Sequence, residues 1–120
     1  MKRYILALDL RDDDKLIQAY DNWHRNVWPE IQRSIIDSGI RHMTIYRFAN
    51  RLCMLMETTD DFTFEKKAAA DAANTLVQEW EALMWRYQQP IPGSKLGEKW
   101  VLMDKIFELS AFDEDERHAT

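Results

Sequence analysis

The stretch Ile40–Thr58, IRHMTIYRFANRLCMLMET, decides the fold. Residues 40–48 and 52–58 are rich in β-branched, aromatic and methionine side chains, and Ala49-Asn50-Arg51 between them is a short polar connection of hairpin length. They read as an antiparallel pair. Upstream, YILALDL over 4–10 has strand spacing, with Tyr4, Leu6, Leu8 and Leu10 on one face. Between these strands lie two helical segments. The first, 13–24, starts on Asp12-Asp13-Asp14, which suits an N-cap and the positive helix start, and repeats apolar residues at Leu16, Ala19, Tyr20 and Trp23. The second, 29–38, opens on Trp28-Pro29-Glu30 and closes at Gly39. Downstream of the hairpin, Asp60 to Asn74 and the stripe Val77, Trp80, Met84 and Tyr87 predict two more helices, broken near Asn74 and ended before Pro90. A loop over 90–98 and a last strand over 100–109, WVLMDKIFEL, complete the chain.

A central hairpin flanked on each side by a strand and a helix pair is an α+β, ferredoxin-like βαββαβ order with both crossover helices split, giving a four-stranded antiparallel sheet. Helices cover one face of such a sheet. Tyr4, Leu8, Met54, Met56, Met103 and Phe107 lead us to expect that the second face is largely apolar, to be covered by sheet-to-sheet pairing in a homodimer or to form a ligand pocket under loops. Residues 1–109 form a single domain in this reading, and the acidic tail 110–120 is expected to be poorly ordered.

Composition limits the function. At 120 residues, with 46% hydrophobic and 31% charged content, the chain is large enough for one core without disulfides or structural metal. The net charge of −5, with cations scattered among carboxylates, argues against nucleic acid as partner. The single cysteine, Cys53, reads as a buried strand thiol, and MKRYILALDL is too short and too charged to serve as an export signal or a membrane span. We therefore expect a cytoplasmic protein. His42 and His118 have no metal-ligand neighbours at a suitable spacing, and no phosphate-cradling glycine loop or nucleophile elbow is present, so no metal site is predicted.

What remains for chemistry is Tyr20 and His24. Four residues apart on a helix, their side chains share a face with Cβ atoms about 5–6 Å apart, and both can touch one small ligand. Histidine gives and takes a proton near neutrality, while a phenol donates or accepts a hydrogen bond. Taken alone, the pair favours the plainer reading, a structural histidine at a helix end. Trp80 reads first as core, although an indole also suits the C–H face of a deoxy sugar.

His24-Arg-Asn-Val-Trp-Pro-Glu30, with Tyr20 four residues before the histidine, resembles the H-x-x-hydrophobic-W-P-E signature of the L-rhamnose mutarotase family. The likeness continues through Ser38-Gly39, Ile45-Tyr46, the helix bearing Trp80, the Pro-containing loop and the final Ile106-Phe107-Glu108-Leu109, and so covers about residues 1–109. The resemblance implies a dimeric α/β-barrel built from two ferredoxin-like units, and a mutarotase that interconverts the α and β anomers of a monosaccharide without a cofactor. It implies His24 as the catalytic acid/base, Tyr20 as a sugar ligand and Trp80 as a pocket wall. Two positions depart from the family pattern. Met43 stands where rhamnose mutarotases carry a substrate-contacting tyrosine, and Glu81 stands where a second tryptophan follows the first. Both are read as substrate-binding positions, and the exchange fits L-fucose better than strict L-rhamnose specificity. The rival readings are a dimeric α/β-barrel monooxygenase and a non-catalytic sugar-binding module, neither of which has a motif here.

Overall fold

The computed structural model describes residues 1–111. Strand β1 (Lys2–Leu10) leads into helices α1 (Asp14–Arg25) and α2 (Pro29–Asp37), then strands β2 (Ile40–Phe48) and β3 (Arg51–Thr58). Helices α3 (Phe64–Ala72) and α4 (Thr75–Trp85) follow, and two short strands close the order, β4 (Gln88–Gln89) and β5 (Val101–Leu102). The sheet runs β2-β3-β1-β4, and β5 pairs with β1 beside β4. Every pairing is antiparallel. This is the ferredoxin-like α+β topology, with the fourth strand position shared by two fragments.

Local chemistry sets the boundaries. The Asp13 carboxylate accepts from the amides of Lys15 and Leu16, Thr63 accepts from Lys66, and Asn74 accepts from Leu76 and Val77, so the expected break near Asn74 is the cap of α4. Pro29 occupies the first turn of α2, and Gly39 takes a φ of +103° just beyond its end, where a Cβ would lie 2.9 Å from the Thr59 hydroxyl. The hairpin is tighter than its sequence suggests. Arg51 already pairs with Phe48, so only Ala49 and Asn50 connect the strands, and Ala49 has the positive φ (+52°) that some two-residue turns require at that position.

Alternation divides the sheet. Tyr4, Leu6, Leu8 and Leu10 face the helices together with Leu52, Met54, Met56, Met43 and Ile45. One group centres on Leu8, Leu10, Tyr20, Ile31, Trp80 and Met84, and a second on Leu6, Ile40, Met54, Met56 and Phe62. The expectation for the second face needs correction here, because Tyr4, Leu8, Met54 and Met56 all point to the helix side. That face is instead built from Ile5, Ala7, Cys53 and Leu55, bracketed by the cross-strand ion pairs Arg3–Glu57 and Asp9–Arg51. Cys53, expected to be buried, is only half-buried there. Tyr46 and Phe48 stand exposed on the same face of β2.

The last strand also differs from expectation. Of residues 100–109, only Val101–Leu102 pair with β1, extended by one bond from the Met103 amide to the Ile5 carbonyl (2.8 Å). Beyond it, Ile106, Phe107 and Leu109 are exposed. The spacing of Phe107 and Leu109 is compatible with a strand, but one chain offers those apolar side chains no surface to bury against among the described residues. The two-residue β4 was missed because Gln88 and Gln89 have neither apolar character nor β-branching; neighbouring Asp9 and Leu10 alone make them a strand. Residues 112–120, most of the predicted tail, lie outside the described residues.

Candidate active site

The second half of α1 lies over the helix-facing side of the sheet and supplies most of the site. Tyr20, Asp21, His24 and Arg25 line a cavity of about 250 Å³ with Ile45 and Arg47 of β2 and Leu52 of β3. A larger depression of about 410 Å³, lined by Ala19, Asn22, Trp23 and Asn26, lies on another face of α1 and contains no titratable side chain. Acid/base chemistry therefore points to the smaller one.

The structure brings Tyr20, His24 and Trp80 together. The rings of Tyr20 and His24 lie 4.3 Å apart, and Trp80 meets His24 edge-on at 5.8 Å. Trp80 is in turn held by Trp28 at 5.0 Å and Trp23 at 6.3 Å, so three indoles back the histidine. His24 Nδ1 lies 2.9 Å from the Tyr20 carbonyl oxygen. A carbonyl can only accept, so Nδ1 carries the hydrogen and Nε2 is the nitrogen left for a ligand. The helix thus sets the tautomer as well as the position of the ring.

Tyr20 is 3% exposed, and its hydroxyl accepts a hydrogen bond from Gln88 Nε2 (3.2 Å), leaving its own proton free to donate. Burial pushes its pKa up to about 12, against a smaller lowering by the Gln88 bond, with Asp21 adding to the rise. At neutral pH it therefore rests as a neutral phenol that donates. The linkage has a definite sign. Because the folded state holds the proton more tightly, this stabilisation is complete below pH 10 and is lost as pH rises through about 12. A shift of this size corresponds to roughly 3 kcal/mol. Tyr20→Phe leaves the buried Gln88 amide without its acceptor, so it is expected to be less stable than the parent by about 1–3 kcal/mol at neutral pH. The gap should then narrow above pH 10, as urea midpoints measured in parallel across that range will show.

Met43 and Glu81 are placed apart from this cluster. Met43 packs on the core group of Leu6, Met54, Met56 and Phe62, two positions along β2 from the cavity residue Ile45. Glu81 follows Trp80 on α4 and is half-exposed. Sequence reasoning also missed two features. Gln88 reaches Tyr20 only because β4 folds back beside Leu10. Arg47 lies in the cavity wall, tied to Asp21 by Nε and Nη2 at 2.9 and 2.6 Å. The signal for it was present: alternation puts Met43, Ile45 and Arg47 on one face of β2, and a charge on an inward face needs a partner. Asp21 holds the Arg47 guanidinium protonated even more firmly than usual.

Fold and site together define a ferredoxin-like α+β protein in which a histidine held at Nδ1 stands beside a small, mixed polar and apolar cavity. The L-rhamnose mutarotase family profile matches residues 3–109. An L-fucose mutarotase of Xanthomonas campestris pv. campestris is 47% identical over 112 residues, covering 92% of this chain and 90% of the relative. Among solved structures, an L-rhamnose mutarotase from Formosa agariphila aligns with a TM-score of 0.66 at 22% identity, covering 92% of this chain and 100% of the other. Tetracenomycin F2 cyclase from Streptomyces glaucescens, a type-II polyketide cyclase, aligns at 0.58 and 18% identity, covering 92% and 99%, a likeness of fold alone. The chain belongs to the L-rhamnose mutarotase family and is accordingly an isomerase. No helix among the described residues is long and apolar enough to cross a membrane.

Proposed function

We propose that this enzyme interconverts the α and β anomers of a 6-deoxy-L-hexose, with L-fucose as its sugar, and that His24 is the catalytic acid/base. The observation that carries this reading is the His24 ring itself, fixed at Nδ1 and free at Nε2 beside the cavity. Nε2 takes the proton of the anomeric hydroxyl while a proton is delivered to the ring oxygen by Tyr20 or a water it orders. The bond between the anomeric carbon and the ring oxygen breaks, giving the open aldehyde. Rotation about the adjacent carbon–carbon bond then presents the other face, the ring hydroxyl adds back, and both protons return. No electrons are exchanged, so acid/base groups suffice and no cofactor is invoked.

Trp80 forms the apolar wall behind the sugar. Met43, beyond Ile45 on β2, and Glu81, beside Trp80, are assigned to the pocket margin, where they replace two aromatic positions of the rhamnose enzymes. The preference for L-fucose rests on that replacement and on the 47% identity to an enzyme of that name.

Residues 1–109 act as one mutarotase domain in the cytoplasm and work as a homodimer in the dimeric α/β-barrel form. Support for the dimer comes from the apolar centre of the open sheet face, from exposed Tyr46 and Phe48, and from Ile106, Phe107 and Leu109. Exchange NMR between anomers of L-fucose, L-rhamnose, D-galactose and D-ribose tests class and substrate together. Fast exchange of L-fucose is expected. Exchange of L-rhamnose with none of L-fucose above background overturns the sugar assignment, and exchange of none overturns the function.

A further inference from the structure

We propose that Arg47, clamped by Asp21, is the specificity-determining residue of this pocket, donating to a pair of adjacent sugar hydroxyls remote from the anomeric carbon. This rests on the mutarotase reading above. The Arg47 side chain projects from β2 into a wall whose other strand residues, Ile45 and Leu52, are apolar. Its guanidinium is fixed at three points: Nε and Nη2 donate to the two Asp21 carboxylate oxygens, and Nη1 donates to the Ala49 carbonyl at 2.9 Å. Ala49 is the residue with the left-handed backbone, so the hairpin turn itself presents that carbonyl. Three of five N–H groups are thereby used, and two keep no partner among the described residues.

Both side chains are about one third exposed, 32% for Arg47 and 34% for Asp21, at the wall of the cavity that His24 also lines. The planar fork is already ordered, so little side-chain entropy is lost when a ligand meets it. Its place relative to His24 sets what it reads. Asp21 precedes His24 by three residues, which makes the two neighbours on the helix surface, about 5–6 Å apart at Cβ. With the anomeric carbon and ring oxygen at His24, the hydroxyls that extend toward Arg47 are those at C3 and C4. In L-fucose these two are cis, and one guanidinium edge can donate to both while a remaining Asp21 lone pair accepts from one of them. In L-rhamnose the C4 hydroxyl is equatorial instead of axial, so an edge aimed at the axial C4 hydroxyl of L-fucose loses that acceptor. Ile45 and Leu52 leave an apolar surface for the C6 methyl.

The test compares Arg47→Met and Arg47→Lys with the parent by anomer-exchange NMR, using L-fucose and its 3,4-dideoxy analogue. The contact is made equally in ground and transition states, so the loss should fall on KM. For Arg47→Met with L-fucose we expect KM to rise about 10–100-fold with kcat held within about threefold, while Arg47→Lys, which keeps the charge but not the fork, falls in between. With the dideoxy sugar the parent and Arg47→Met should have the same KM. Should Arg47→Met melt early, the double variant Asp21→Asn, Arg47→Gln removes both charges together and carries the same expectation. An unchanged KM for L-fucose overturns the assignment, as does an equal loss with the dideoxy sugar, which would mark Arg47 as structural. If the parent exchanges L-fucose and the Arg47 variants do so equally well, only this inference fails; if the parent neither exchanges nor binds any sugar, the functional reading fails with it.

Discussion

His24→Ala is expected to lower anomer exchange about 10²–10⁴-fold, the range that a positioned acid/base supplies. The ring is half-buried at the end of α1, and its one hydrogen bond goes to a helix carbonyl, so its removal leaves no buried polar group stranded. Folding should survive, as an unchanged circular dichroism spectrum and a melting temperature within a few degrees of the parent will show. The loss should fall on kcat, because the proton transfer is made only in the transition state. The space left between Tyr20 and Trp80 suits a five-membered ring, so added imidazole is expected to restore part of the rate. Undiminished exchange in a folded His24→Ala enzyme refutes the assignment.

Trp80→Ala has the largest expected effect on stability. The indole is 8% exposed and packs among Trp23, Trp28 and His24, with Leu8, Leu10 and Met84 in the same core group. Truncating so large a buried aromatic costs about 3–5 kcal/mol, from lost transfer free energy and the cavity left behind. Urea unfolding should show the midpoint falling with little change in slope. Trp80→Phe keeps most of the apolar volume and should recover much of that stability. Its rate then separates the two roles: if the indole serves only as core, exchange by Trp80→Phe matches the parent, and if it also backs His24 and the sugar, exchange falls while the protein stays folded.

Much of the architecture was legible because it is written in local signals. Asp13, Thr63 and Asn74 cap helices where their side chains reach backbone amides, Pro29 can only begin a helix, and the alternation of 4–10 and 52–58 assigns side chains to opposite faces. The features that were misjudged depend on a neighbour distant in sequence. Whether 100–109 becomes a strand depends on how much of β1 is open and on what covers its apolar side chains, and Gln88–Gln89 is a strand only because Asp9 and Leu10 lie beside it. Alternation separates two faces but does not say which one the helices will take, and for that reason Tyr4, Leu8, Met54 and Met56 were assigned to the wrong side.

The site divides in the same way. By itself the sequence determined that Tyr20 and His24 share a helix face, since 3.6 residues per turn leave no other arrangement, and the W-P-E run after the histidine carried the family resemblance. Tertiary structure alone decided that Trp80, 56 residues further on, stands edge-on to that histidine, that Gln88 meets the Tyr20 hydroxyl, and that Arg47 comes through the sheet face to Asp21. These contacts join residues more than 25 positions apart. They exist because burying one apolar sheet face under α1 and α4 brings those side chains together, a consequence of packing that no local spacing encodes.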